Sequence, residues 1–419
     1  MISFWRIFWL ECVTLVRTGT LAMLAVAAAA WMLVFPHLAK GDGTPEGLRE
    51  LTIHFSLGGV FALLVVALLA SAAGSIARER AAKRLQLTLV RPVRFAAIAL
   101  GKIAAHVAVG AVVLALACAI LAVRTDLRTP CRHVLSPTLP SPREEAKTMY
   151  AAYMADTNTP VEVRRAKRSV VLRLLENRAI DHYQTIPTNS CVEWKFGGLE
   201  GQEGIKGLSV RMRFTNQLEM RQDVHGVFRL GGLEGTVSNI TQAVLTVPLA
   251  GEGKASERLT FENKGQTALM LRPRRDLNLL VPADAFGWNL LRTFVPLVSV
   301  LALVVSFGVL LSSGLGRPVA LFVAFVTLIV GEMSPSVIEQ YPDELETNLA
   351  DRIGLAITRV AVRVTRPVSA LSPLGALSRD ECVEPRETWQ LAAVDLLLLP
   401  LLLSLVAGFV VPRKQDDMA

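Results

Sequence analysis

The sequence predicts an α-helical membrane protein with six transmembrane helices and an inserted extracytoplasmic domain of helices plus an antiparallel β-sandwich. Three observations point there. Apolar residues fill 52% of the 419 positions against 19% charged, and mean hydropathy is +0.43; soluble domains are less apolar and more charged. The apolar residues are gathered into runs close to the roughly 20 residues that cross a bilayer. Between Arg124 and Gly287 the chain instead turns polar, over a length that suits one independent domain. The net charge of +8 does not call for a nucleic-acid partner, because Lys and Arg held in short cytoplasmic loops supply the same balance.

The first membrane half covers residues 1–123. It opens on MISFWRIFWLECVTLVR, an amphipathic, aromatic-rich stretch with Arg6 and Arg17, predicted to lie along the inner interface as an elbow helix. No A-x-A-like cleavage site follows the first apolar run, so no cleavable signal peptide is expected. Spans follow at Thr18–Phe35, Phe55–Gly74 and about Ile98–Val123. Between the second and third lies SIARERAAKRLQLTLVRPVRFAAIALGK, Ser75 to Lys102. Its Arg78, Arg80, Lys83, Arg84, Arg91 and Arg94 place it in the cytoplasm, since short basic loops stay inside. Residues 75–94 contain no Gly or Pro before Pro92, so their opening reads as a helix. Lys102 and His106 fall in the first turns of the third span, with Lys102 placed to snorkel to the interface.

The second membrane half, 288–419, offers spans at Phe294–Leu315, Val319–Met333 and Leu391–Val411, which puts both termini in the cytoplasm. Glu332 and Asp395 are its intramembrane acids, functional candidates by their cost in hydrocarbon. Their position toward the outer ends equally fits a solvated interface. The outside segment 336–390 holds LADRIGLAITRVAVRVTRP, with Arg352, Arg359, Arg363 and Arg366 along one helical face. Lying on the outer leaflet and standing as a solvated helix both suit that pattern.

The insertion, 124–287, starts with a Pro-rich connection, TPCRHVLSPTLPSP, read as a stiff linker. Pro142 to Tyr183 reads as helical apart from the DTNTP turn. From Cys191 the period becomes two: VEWKF, LSVRMRF, GVFRL, AVLTVPL, ERLTFEN, ALMLR and DLNLLVP alternate between Gly, Asn and Asp turns. WKFGGLEG, from Trp194, echoes FRLGGLEG, from Phe228, as two strand-turn units. His133, His182 and His225 share no metal-ligand spacing, and GEGKAS lacks the spacing of a phosphate loop. Cys12 and Cys118 read as small apolar fillers. Cys131, Cys191 and Cys382 fall outside, where Cys131 with Cys191 is the expected disulfide.

The spacing of Ile76, Glu79-Arg80, Leu85, Pro92-Val93, Arg94 and Gly101-Lys102 resembles the coupling region of type-2 ABC exporter permeases. It departs from that pattern where Lys83 and Arg84 stand in place of a Gly-Thr pair. LLSSGLGRPVALFVAF, from Leu310, resembles the family's short cytoplasmic turn between spans four and five, and SALSPLGALS, from Ser369, is similar to the outside segment before the last span of maturation-type and gliding-type permeases. The resemblance covers both membrane halves and leaves out the insertion. It implies a multi-pass bacterial inner-membrane subunit that pairs with a second permease copy or a related permease, driven by a separate ABC ATPase subunit. ATP and magnesium would sit on that partner, since this chain has no Walker A loop. Ile76, Glu79, Arg80, Arg84, Leu85, Pro92, Arg94 and Lys102 would then form the ATPase-coupling region, with Glu79 and Arg80 meeting opposite charges across the interface. The insertion would engage a periplasmic partner. The rival reading is a membrane-anchored binding or scaffold protein without transport, and an enzyme is the least supported class because no nucleophile-base pair or metal cluster stands out.

Overall fold

The computed structural model describes residues 2–40, 45–81, 94–155, 168–180, 184–199, 207–215, 222–241, 244–251, 256–327, 373–383 and 393–416. They form two compact units, one built on Met1–Thr129 with the chain from Ala285, the other on Pro130–Asp284.

The helical unit begins with α1, Ile2–Arg17. The chain turns at Gly19, whose φ of 73° lies in the left-handed region open to glycine, and enters α2, Thr20–Leu38. A separate helix ahead of the first long apolar helix is therefore present. The second span is part of a longer helix, α3, Pro45–Ala81. Its 37 residues rise about 55 Å, well beyond a hydrocarbon core of about 30 Å. With no Gly or Pro after Gly74, the helix continues into the basic segment as far as Ala81; Arg84, Leu85 and Pro92 lie outside the described residues. The third long helix, α4, spans Phe95–Arg124.

Next comes the second unit: β1 Pro130–Leu135, α5 Pro142–Ala155, α6 Arg168–Ile180, β2 Gln184–Ile186, β3 Cys191–Lys195, β4 Ser209–Arg213, β5 Asp223–Leu230, β6 Leu233–Ile240, β7 Val244–Pro248, β8 Arg258–Asn263, β9 Leu269–Leu271, the short α7 Pro273–Asp276, and β10 Leu277–Ala285. α5 starts in a capping box: the Ser141 hydroxyl accepts the Glu144 amide and the Glu144 carboxylate accepts the Ser141 amide, both at 3.2 Å. The strands form two four-stranded sheets, β1-β10-β4-β7 and β3-β8-β5-β6, and a two-stranded β2-β9 sheet. Alternation is clean on β5, where Val224, Phe228 and Leu230 are buried and Asp223, His225 and Arg229 exposed. Both larger sheets feed one apolar core that includes Trp194, Phe228, Phe261, Met212 and Leu279.

Three readings change or gain detail here. The Pro-rich connection contains a strand, β1, because Cys131 to Leu135 lacks proline and pairs with β10. In FRLGGLEG the two glycines are a hairpin turn: Gly231, at φ 63°, joins β5 to β6, and Leu230 faces Leu233. The third change concerns the disulfide. Cys131 is buried on β1 and disulfide-bonded, as is Cys382, whereas Cys191 is an exposed free thiol at the start of β3. The expected Cys131–Cys191 bridge does not form, since the register of β3 turns Cys191 to solvent opposite Glu262.

β10 passes directly into α8, Phe286–Gly314, which starts well before the expected Phe294. The Phe286 and Gly287 amides bond to the carbonyls of Thr129 and Leu127, holding the two connections to the β unit side by side. After α8 come α9 (Arg317–Thr327), α10 (Pro373–Ser378), a π-helical stretch at Val394–Leu398 and α11 (Leu399–Asp416). α2, α3, α4 and α8 are long and apolar enough to cross a membrane. Among the described residues the fifth expected span shows an apolar helix at Arg317–Thr327, which runs to the edge of the described chain, and the sixth shows the apolar stretch Leu396–Gly408 within the longer helical run that ends at Asp416. Glu332 lies outside the described residues, and Asp395 belongs to the π-helical stretch.

The long helices pack through one stripe of α3, Leu57, Leu64, Leu68, Ala72 and Ile76, against Val113 and Ala117 of α4 and Leu301, Val305 and Val309 of α8. Gly308 makes the close crossing possible. A Cβ there would stand 3.1 Å from the Leu69 side chain and 3.3 Å from the Ala73 backbone nitrogen. Met23, Val26, Val66 and Val112 remain exposed, as lipid-facing positions require.

Candidate functional site

The residues of the coupling-like segment converge where α3 ends and α4 begins. Gly101 lets α1 lie directly on α4: a Cβ at that position would sit 2.9 Å from the Ile7 side chain and 3.3 Å from the Phe8 backbone nitrogen. That approach carries Glu11 of α1 to Lys102. The Lys102 ammonium lies 2.8 Å from a Glu11 oxygen and 2.8 Å from a Glu79 oxygen, so a single cation joins α1, α3 and α4. Its side chain is 3% exposed, against 12% for Glu11 and 33% for Glu79. Lys102 therefore does not snorkel outward. Two carboxylates reach it inside the bundle, where a charge without partners would cost several kcal/mol.

His106, one turn further along α4, extends the cluster. Its Nδ1 is 2.9 Å from the Lys102 carbonyl and its Nε2 is 3.1 Å from the Ser71 hydroxyl. A carbonyl only accepts, so Nδ1 carries a proton, and in the neutral ring Nε2 accepts from Ser71.

Arg80 points the other way around the helix. It donates to the Ser313 carbonyl and, at 3.5 Å, to the Ser312 carbonyl, both in the last turn of α8. Those carbonyls have no partner within their own helix, and a cation there also meets the negative end of its dipole. Arg78 returns to the Gly74 carbonyl at 3.0 Å, and the Arg317 side chain passes over Gly74, tying the start of α9 to α3. The coupling-like segment and the short turn after the fourth span thus come together.

Ile76 is fully buried in the bundle core, so it is not presented to a partner. Arg94 is exposed at the N-cap of α4. Sequence reasoning missed Glu11, Ser71 and the Ser313 carbonyl. Glu11 left a usable signal, as the only acid in an otherwise aromatic and basic helix; a main-chain carbonyl leaves none. Cys12, next to it, has its thiol pKa pushed up by burial and by the Glu11 charge. Among the described residues no group of three His, Cys, Asp or Glu could hold a metal ion. The cluster ties α1, α3, α4 and α8 together through ion pairs and hydrogen bonds. No family model, curated protein or solved structure matches the chain.

Proposed function

We propose that the chain is the transmembrane permease subunit of an ABC exporter, with ATP hydrolysis supplied by a separate ATPase and an insertion that works outside the membrane. One observation carries this reading. The segment that resembles a coupling region is joined through Lys102 to α1 and α4 and through Arg80 to α8. A displacement of residues 75–94 is therefore passed to four helices together. In this reading the chain crosses the inner membrane six times with both termini in the cytoplasm, and pairs with a second copy or a related permease. Glu79 and Arg80 transmit force within the chain. Contact with the ATPase falls to Arg94 and to the stretch holding Arg84, Leu85 and Pro92.

The rival, a membrane-anchored extracytoplasmic binding or scaffold protein, draws on the separate apolar core of the β unit. Affinity purification from membranes separates the two. The exporter reading expects an ABC ATPase to co-purify, Arg94→Glu to weaken that association, and Lys102→Met to retain the ATPase while lowering its turnover. Recovery of no ATPase, or labelling of an Arg94→Cys thiol from outside the cell, overturns it.

A further inference from the structure

At the opposite ends of the same helices lies a cavity of about 600 Å³ between α2, α3 and α4. Its inner wall is apolar, from Met32, Ile53 and Leu121. Ser56 lines it too, 1% exposed, and its hydroxyl has no hydrogen-bond partner among the described residues. Two arginines stand at the helix ends. Arg124 closes α4 and spends one N–H on the Met32 carbonyl at 3.1 Å. Arg49 is 3.1 Å from Asp380 and stacks over the Phe286 ring. Two carboxylates accompany them: Asp380 on Arg49, and Asp126 on the rim, with an oxygen accepting the Arg128 amide.

Position gives this cavity its meaning. Twenty-three residues of α3 separate Ser56 from Glu79, and twenty-two residues of α4 separate Arg124 from Lys102. Both correspond to about 33–35 Å of helix, close to the thickness of a bilayer's hydrocarbon core. On that measure Arg124 and Ser56 stand near headgroup depth, Arg49 lies two turns farther out along α3, and Leu121 lies one turn toward the acyl region. A buried hydroxyl without a partner carries a desolvation penalty, which a polar atom of a ligand removes. A guanidinium with spare donors matches a phosphate in geometry and charge.

We propose that this cavity binds a phosphodiester amphiphile, its phosphate on Arg124 and Arg49, its chain along Met32, Ile53 and Leu121, and an ester oxygen accepting from Ser56. Asp126, with Asp380 already on Arg49, disfavours a dianionic phosphate monoester and leaves the single charge of a diester, held chiefly by Arg124, the better fit. The cavity volume lies within the range of small-molecule sites, about 300–1,000 Å³, which accommodates one acyl chain and part of a head.

The test uses the full chain in dodecyl maltoside, with thermal unfolding followed against lauroyl lysophosphatidylglycerol, inorganic phosphate and lauroyl glycerol. The lysophospholipid is expected to raise the midpoint saturably. Phosphate alone and the uncharged glyceride are expected to leave it unchanged. Arg124→Gln should weaken half-saturation about tenfold, and Ser56→Leu, which fills the cavity, should abolish the shift. Equal shifts in the wild type and both variants, or an equal shift with the glyceride, overturn the site. Should Ser56→Leu fail to fold, Ser56→Ala with at least a threefold weaker response serves in its place, and an unchanged response counts against the proposal. Native mass spectrometry distinguishes the sources. Phospholipid retained by the wild type and lost from Arg124→Gln identifies a resident membrane lipid. A lipid-free wild type that still responds saturably identifies an exchangeable amphiphile. No ATPase enters either measurement, so the cavity and the exporter reading fail separately.

Discussion

Lys102 and Arg124 share α4, yet their surroundings are opposite. Around Lys102 the charged groups of three helices are joined at hydrogen-bond distance, and Arg80 adds a fourth helix. Around Arg124 the helices part over a cavity crossed at its rim by the Arg124–Met32 bond and the Arg49–Asp380 pair, and a buried hydroxyl inside it has no partner among the described residues. Bundle ends closed by ions move as one body, because separating any helix exposes a charge. Ends that part over a cavity can repack at lower cost. On the exporter reading proposed above, the Lys102 end is the place where force enters, and the Arg124 end the place where shape is free to change.

The largest effect is expected where the closed end is broken. Lys102→Met leaves Glu11 and Glu79 facing each other without a cation and should cost about 3–5 kcal/mol, read as a lower unfolding midpoint in detergent. Adding Glu11→Gln and Glu79→Gln to that variant should restore most of the loss, since no uncompensated charge remains. Of the single acid variants, Glu11→Gln should cost more, because Glu79 is a third exposed and partly screened by solvent. A Lys102→Met protein of wild-type stability would make the two ends alike.

A second variant asks whether satisfied polar groups matter as much away from the membrane helices. Asn263, at 0% exposure in the β unit, donates to the Ile186, Pro187 and Thr267 carbonyls and accepts the Gly265 amide. Asn263→Leu strands those groups and should cost about 2–3 kcal/mol, seen as faster limited proteolysis of the β unit with the helical unit unchanged. Arg80→Ala comes next. It removes one cation from the α8 terminus, worth about 1 kcal/mol, and should lower the unfolding midpoint less than Lys102→Met does.

Which of these residues the sequence makes visible follows from the range of the forces involved. Hydropathy along the chain is enough to mark α2, α3, α4 and α8, and alternation marks β3, β4, β5, β7, β8 and β10, because both patterns are local. β6 is hidden: Leu233-Glu-Gly-Thr-Val-Ser-Asn-Ile has weak alternation and becomes a strand by pairing with β5 across a Gly-Gly turn. The extent of α3 past Gly74 was legible in the absence of breakers, but the roles of Glu79 and Arg80 were not. A charged helix end reads as an outward-facing surface until its partners are seen. Here those partners are Lys102, 23 residues ahead, and a carbonyl 233 residues away. The Cys131 pairing failed for the same reason, since strand register rather than spacing decides which thiols face solvent.

The smallest expected effect concerns reactivity alone, and it probes the closed end without altering a charge. Alkylation proceeds through the thiolate. Burial and the neighbouring Glu11 charge raise the Cys12 pKa, so at pH 7.5 the native protein holds that side chain as the unreactive thiol. Cys191 is free and exposed at the start of β3. Iodoacetamide treatment followed by peptide mapping should modify Cys191 about tenfold faster than Cys12, a tenfold rate corresponding to about 1.4 kcal/mol. Raising the pH toward the elevated Cys12 pKa should increase its rate. Glu11→Gln should increase it at constant pH, because the neighbouring negative charge is gone. Equal rates for the two cysteines at pH 7.5 would mean that α1 leaves α4 often enough to open the Glu11–Lys102 pair to water, and the two ends of the bundle would then differ in geometry but not in rigidity.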